Sequence, residues 1–161
     1  MTAAIAGISA LGLLSGCGME TRQQAAAIVN DEVIPQDAVQ SAAEQLAPAG
    51  LDQDNAVVFL IAAPLVKEVS DTSGRWQPNP SYAALLAGIP DASQATKDTV
   101  QTAALMTSDT MTPADVQAYR KALDTAQISL NPKYGEIKKT NDGPLYFTLG
   151  AAQPDWLAPA K

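Results

Sequence analysis

Apolar side chains recur every three to four residues through much of the chain, and this spacing predicts amphipathic helices. Prolines and capping side chains divide the pattern into five segments, because both favour helix starts. The predicted helices span about 35–46, 52–74, 79–88, 91–107 and 112–124. In the fourth, Asp91-Ala92-Ser93-Gln94 resembles a capping box with Asp91 in the capping position.

The second of these helices is predicted to lie at the centre of the fold. Val57–Ile61 is the most hydrophobic stretch that follows the N-terminal segment, and apolar positions extend nearly all round the helix. Pro64 interrupts the segment. Because proline removes a backbone hydrogen bond inside a helix, we expect a kink or a break at this residue.

Short strands are predicted at both ends of the helical region. Apolar residues on either side of Asn30–Glu32 indicate a hairpin with a tight turn, and Ile128–Leu130 and Leu145–Leu149 have strand patterns. We expect the strand near Val29 to pair with Ile128–Leu130. The predicted fold is therefore mostly α, with about five helices and a small two- or three-stranded β-sheet that joins the N- and C-terminal strands.

The N-terminal segment differs from the rest of the chain in charge. Met1–Gly18 contains no charged side chain, and its apolar run is shorter than the roughly 20 residues that a membrane-spanning helix needs. Leu14-Ser15-Gly16-Cys17 looks like a bacterial lipobox, in which the cysteine receives a diacylglycerol group before cleavage. The alternative is a buried N-terminal helix with an ordinary thiol, which the Gly and Ser content disfavours.

The lipobox predicts how the chain is organised. Residues 1–16 would be a lipoprotein signal peptide, 17–25 a lipidated linker, 26–150 the helical domain and 151–161 a Pro- and Ala-rich tail. Two or three acyl chains on Cys17 give stable membrane anchoring. A signal peptide normally opens with a basic residue and none precedes Arg22, so we expect translation to start upstream of Met1.

Composition excludes several classes of function. The chain has 161 residues, no histidine, one cysteine and a net charge of −7. Ser-His-Asp and Cys-His catalysis, His/Cys zinc sites and an internal disulfide all need residues that are missing. The acidic balance also disfavours nucleic acid, which is bound through clustered cations. We therefore expect a non-enzymatic protein without a metal or cofactor.

The acidic segment Asp52-Gln53-Asp54-Asn55 invites comparison with a calcium-binding loop. An EF-hand would need a further oxygen ligand at Ala56 and a glycine at Val57, so helix capping is the better interpretation. Paired carboxylates for glycoside chemistry stay open, because sequence does not give their separation in space.

Large side chains outside the helix stripes are candidates for peptide binding. Trp76 lies in a polar loop, which predicts exposure, and Met106 and Met111 flank a helix junction, where flexible thioethers suit promiscuous contacts. The alternative for each methionine is gap filling in the core. Tyr82 and Tyr119 lie on helix stripes and are predicted to be core residues.

The motifs Ile28–Ile34 and Thr112–Tyr119 resemble the N-terminal chaperone domain of SurA- and PrsA-type folding factors. Further along the chain, Asn131–Gly135 and Pro154–Leu157 look like the actinobacterial lipoproteins with a SurA-like N-terminal domain. The chain after the last predicted helix is too short for a parvulin module and lacks the histidines expected of one. The resemblance therefore implies the chaperone part without prolyl isomerase activity.

What this resemblance implies is a lipid-anchored protein on the extracytoplasmic face of the cell membrane. It would bind unfolded or newly secreted proteins without ATP and without catalysis. The alternative is an envelope adaptor or structural lipoprotein that keeps the fold and binds one folded partner. A small-molecule-binding lipoprotein is a third interpretation, although such proteins usually have two α/β lobes.

Overall fold

The computed structural model describes residues 24–151. The five helices and four of the five strands in this range follow one another in the predicted order, with 3₁₀ turns at Ala47–Ala49 and Pro132–Tyr134. The elements are β1 (Ala25–Val29), β2 (Glu32–Pro35), α1 (Gln36–Leu46), α2 (Gln53–Ser73), α3 (Ser81–Ala87), α4 (Gln94–Met106), α5 (Pro113–Thr125), β3 (Ile128–Leu130), β4 (Glu136–Lys139) and β5 (Phe147–Gly150). The mostly α-helical class predicted from the sequence is confirmed.

Strand β1 is the middle strand of a three-stranded antiparallel sheet in the order β2-β1-β3. Val29 pairs with Glu32 on one side and with Ile128 on the other. Asn30 adopts a left-handed conformation at φ 54°, which asparagine tolerates better than most residues. Its N–H donates to the Gln127 carbonyl at 2.7 Å, and its Oδ1 accepts from the Gln127 N–H at 3.0 Å. The predicted pairing of the opening strand with Ile128–Leu130 is confirmed.

Helix α2 is the central element. The Asp52 carboxylate accepts the Asn55 N–H at 2.9 Å, which confirms the capping interpretation of the acidic segment. Ile61 and Val66 are fully buried, and α2 contacts α1, α4, α5 and β1. The helix continues through Pro64 to Ser73, so no break occurs there. Packing on several sides offsets the single backbone hydrogen bond that proline removes.

Two helix starts show how local capping and tertiary contacts combine. Helix α4 begins after Ser93, whose Oγ accepts the Thr96 N–H at 3.1 Å; the prediction that Asp91 is the cap is wrong. Gln45 Oε1 accepts the Ser93 N–H at 2.9 Å and the Thr96 hydroxyl at 2.6 Å, and so ties α1 to this start. Because Ser93 caps the helix and is held by α1, Asp91 stays in the preceding turn at φ 57°.

The C-terminal strands form a separate hairpin. Strand β5 begins at Phe147, two residues later than the predicted strand, and pairs with β4, which the sequence pattern did not reveal. The Tyr119 hydroxyl donates to the Leu145 carbonyl at 3.0 Å, and Lys139 Nζ donates to the Leu123 carbonyl at 3.0 Å. These two bonds hold the hairpin against α5.

Truncating a central side chain of α2 should destabilise the protein strongly. Leu65 is 2% exposed, so Leu65→Ala leaves a cavity in the core and should lower the free energy of unfolding by about 2–5 kcal/mol. Urea denaturation followed by circular dichroism measures this change. Leu86→Ala on the half-exposed helix α3 is the matched control and should cost clearly less. Equal losses in the two variants would contradict the central role of α2.

Candidate functional site

Trp76 does not lie on the surface, and the prediction that it is exposed is wrong. Its side chain is 2% exposed, and its indole N–H donates to the Leu105 carbonyl at 2.7 Å. Two hydrogen bonds fix the loop around Trp76. The Gln77 N–H donates to Thr110 Oγ1 at 2.8 Å, and the Asn79 N–H donates to the Ala104 carbonyl at 2.8 Å. The polar neighbours of Trp76 therefore remain near solvent while the indole packs inward.

The two methionines also belong to the interior. Met106 is 5% exposed in the hydrophobic core, and Met111 is partly buried against the same core. Both side chains fill space in or beside the core, which is the alternative interpretation given for each methionine. Tyr119 is buried as predicted, whereas Tyr82 on α3 is only half-buried. Trp76, Met106 and Met111 thus form no open peptide-binding surface.

An open groove runs between the C-terminal half of α2 and helix α5. We call it the α2–α5 groove; its volume is ≈ 580 Å³. Its apolar lining consists of small side chains from α5 opposite Val69 of α2. The lining residues are Glu68, Val69, Thr72, Ser73, Arg75, Ala114, Asp115, Ala118, Lys121, Ala122 and Thr125.

Sequence reasoning missed this groove. Ala114, Ala118 and Ala122 follow one another at a spacing of four residues, and they lie on a different face of α5 from Tyr119 and Leu123, which are buried. That second periodic stripe was the available signal. Alanine is common in helices and carries no functional group, so such a stripe does not by itself indicate a site.

Asp115 places a buried carboxylate at the N-terminal end of α5. The residue is 5% exposed, and its Oδ2 accepts the Thr112 N–H at 2.9 Å and the Thr112 hydroxyl at 2.6 Å. Hydrogen bonds from the Thr112 hydroxyl and from the Thr112 N–H lower the pKa of Asp115 below its ordinary 3.8, the Arg75 guanidinium acts in the same direction, and burial opposes them. The carboxylate is therefore ionised at neutral pH, where it forms a capping box with Thr112 at the start of α5.

The rim of the groove carries charges of both signs. Glu68, Arg75 and Lys121 are exposed around the apolar floor. Such a site can offer apolar contact to side chains and hydrogen bonds to a polypeptide backbone. Within residues 24–151, no group of three or more His, Cys, Asp or Glu side chains lies together as a metal site would require.

Cys17, Trp156 and the predicted signal peptide and tail motifs lie outside the described residues. Between residues 24 and 151, no single helix has both the length and the apolar character of a membrane span. The consecutive segments Gln36–Ala49 and Gln53–Ser73 meet these criteria only when they are taken together, and the chain bends by 118° between them.

Comparison with known proteins found no match to this chain. No protein-family model matches the chain. No curated protein has a significantly similar sequence. No solved structure matches the fold significantly.

The capping carboxylate should make stability depend on pH. A carboxyl group whose pKa is lower in the folded state than in the unfolded state stabilises the fold at pH values above its unfolded-state pKa. This stabilisation is lost as the pH falls through the folded-state pKa. Asp115→Asn should therefore lower the free energy of unfolding by about 1 kcal/mol at pH 7, and the difference should shrink below about pH 4. Urea denaturation at a series of pH values measures the effect. Asp109→Asn, at an exposed position, is the control, and a deficit for Asp115→Asn that persists undiminished at pH 2.5 would contradict the assignment.

Proposed function

We propose that this protein is a membrane-anchored lipoprotein that binds unfolded or newly exported polypeptides in the α2–α5 groove, without ATP and without catalysis. The observation that carries the proposal is the groove itself. It is open, it has a volume of ≈ 580 Å³, and it combines an apolar floor with a charged rim. Ligand-binding pockets in proteins commonly measure about 300–1,000 Å³.

Small side chains in the groove favour tolerance over selectivity. Ala114 and Ala118 are exposed and contribute only methyl groups, so client side chains of different sizes can enter without a clash. Apolar contact is non-directional and scales roughly with the area removed from water. A groove of this kind therefore suits many extended segments better than one particular sequence.

The charges support the same proposal. Lys121 and Arg75 lie on the same rim as Glu68, so neither acidic nor basic segments are excluded. The whole chain has a net charge of −7, which keeps a carrier of apolar segments apart from other copies of itself.

The resemblance to SurA-type domains adds a second line of support. Its opening motif, Ile28–Ile34, forms the β1–β2 hairpin, and Thr112 begins the last helix with a capping box. Asn131 joins the third motif to the opening strand, because its Nδ2 donates to the Ala25 carbonyl at 3.1 Å. These three motifs thus form the hairpin, the helix start and the turn that the sequence predicts for them.

Filling the groove should abolish client binding. Ala118→Trp places a large ring in the groove at an exposed position, so the fold should be retained while aggregation of a chemically unfolded client is no longer slowed. Light scattering with a several-fold excess of the full chain measures suppression, and fluorescence polarisation with extended apolar peptides measures binding. We expect a loss of affinity of at least about tenfold, which corresponds to about 1.4 kcal/mol.

Gln117→Trp is the matched control for this experiment. Gln117 is exposed on the same helix and does not line the groove, so the same ring is added beside the site but not in it. Retained suppression in Gln117→Trp together with loss in Ala118→Trp supports the proposal. Suppression that survives in both variants, or is absent from the unmodified chain, refutes it.

The adaptor function remains a second candidate because of α3. The segment from Gln77 to Pro90 contains no charged residue, and no residue of α3 is buried. Leu85 and Leu86 are half-exposed on this helix, as expected for a surface that one folded partner covers. Crosslinking in cells separates the two functions: many unrelated exported proteins favour the chaperone, and one dominant partner favours the adaptor.

The membrane anchor can be tested separately. Cys17→Ala removes the thiol that a lipobox cysteine needs for its thioether, so incorporation of labelled palmitate should cease and the protein should leave the membrane fraction. Scintillation counting and immunoblotting of fractionated bacterial cells measure both effects. Ser9→Ala, in the same uncharged segment, is the control and should be labelled normally. Label that persists in Cys17→Ala would contradict lipidation at this cysteine.

A further inference from the structure

A second pocket lies between the C-terminal half of α5 and the β4–β5 hairpin. We call it the Arg120 pocket; its volume is ≈ 160 Å³. It is bordered by Arg120 and Asp124 of α5, by Lys139 at the end of β4 and by Tyr146 before β5. It shares no lining residue with the α2–α5 groove. Pockets for whole ligands commonly measure about 300–1,000 Å³, so this one accommodates a single functional group.

Arg120 supplies free hydrogen-bond donors to the pocket. The residue is exposed, and its Nη2 donates to Asn141 Oδ1 at 3.2 Å, the one hydrogen bond that this side chain makes within residues 24–151. A guanidinium carries five N–H donors, so the others remain available. Asn141 is exposed as well, and its Nδ2 donates to no atom of the same residues. Charged and neutral donors thus lie side by side in reach of solvent.

Tyr146 holds the guanidinium in place. Arg120 Cζ lies 5.0 Å from the centroid of the Tyr146 ring, within the range of a cation–π contact. The Tyr146 ring in turn packs against Tyr119, with 6.4 Å between the two ring centroids. A guanidinium that is fixed before binding loses less conformational freedom when a ligand arrives.

The backbone at Tyr146 is strained. Its φ of 55° is left-handed, a conformation that bulky residues rarely adopt. Two hydrogen bonds hold the segment there: the Thr140 N–H donates to the Tyr146 carbonyl at 2.9 Å, and the Tyr119 hydroxyl donates to the Leu145 carbonyl at 3.0 Å. Such strain persists where the surrounding structure fixes it, and it is common at binding sites.

The charges around the pocket select an anion with a single negative charge. Lys139 Nζ donates to the Leu123 carbonyl at 3.0 Å and lies 3.5 Å from Asp124 Oδ1, so it offsets both this carboxylate and the negative end of α5. Arg120 has no ion pair within residues 24–151 and keeps its charge for a ligand. A phosphate would bring a second negative charge close to Asp124, whereas a planar carboxylate matches the guanidinium with two parallel hydrogen bonds.

We infer that the Arg120 pocket binds a carboxylate group. The guanidinium would donate two parallel N–H bonds to the carboxylate oxygens, and the Asn141 amide would donate a further one. An acidic side chain and the C-terminus of a polypeptide both present this planar group. The inference does not depend on polypeptide binding in the α2–α5 groove, because the two sites lie on different faces of α5.

Titration of the full chain with small anions tests the inference. Sodium acetate is the probe, and sodium chloride and sodium phosphate at equal ionic strength are the comparisons. The Nε–H resonance of Arg120 and the side-chain amide resonances of Asn141 in ¹⁵N-labelled protein should shift saturably with acetate. Chloride should give no saturable shift, and phosphate should bind more weakly than acetate.

Three variants separate the guanidinium geometry from its charge. Arg120→Lys keeps the charge but cannot form two parallel bonds, so acetate should bind about tenfold more weakly, as read from the Asn141 amides. Arg120→Gln also removes the charge and should abolish saturable binding. Lys97→Gln removes the same charge from an exposed position on α4 outside the pocket, and this matched control should bind acetate as the unmodified chain does. Circular dichroism should show the same fold in all three, because both positions are exposed.

Short peptides identify the source of the carboxylate. The first is an acetylated trialanine with a free C-terminus, the second a tripeptide blocked at both ends with a central glutamate, and the third the same blocked peptide with glutamine. Tighter binding of the first assigns the pocket to a chain terminus, and tighter binding of the second assigns it to an acidic side chain. Either result supports the inference.

Four results would overturn it. They are an absence of saturable shifts with acetate, tighter binding of phosphate than of acetate, binding of the neutral peptide as tight as that of the charged ones, and equal losses in Lys97→Gln and Arg120→Gln. The last result would mean that acetate follows the overall charge of the protein and not this pocket.

Discussion

Burial of α2 is the interaction on which the rest of the structure depends. This helix carries only apolar side chains from Ala56 to Val66, and α1, α4, α5 and β1 each cover part of it. Removing that surface from water stabilises the fold more than any single polar contact can. The same burial holds the helix together across Pro64, where the backbone alone would favour an interruption.

Directional contacts decide how the covering elements are placed around α2. Gln45 fixes the start of α4 relative to α1, and Asn30 fixes the entry of β3 beside β1. These hydrogen bonds join segments that are far apart in the chain. Hydrophobic burial alone has no such directionality, so these polar ties give the packed helices one arrangement.

The α2–α5 groove follows from the composition of α5. Tyr119 and Leu123 of this helix are buried, while Ala114 and Ala118 remain exposed and too small to close the space beside α2. Asp115, which lines the same groove, also caps the helix. The residues that stabilise α5 thus also shape the surface proposed to hold a polypeptide.

The sequence by itself determined the five helices, the Asp52 and Thr112 caps and the pairing of the opening strand with Ile128–Leu130. These features depend on short-range periodicity and capping, or on apolar strands at the two ends of the helical region. Only the tertiary structure decided that Trp76 is buried and that β4 pairs with β5, and only it brought Arg120 to a pocket beside Asn141 and Tyr146. The physical reason is that exposure of a loop side chain and convergence of a site depend on contacts between distant segments, which local patterns do not encode.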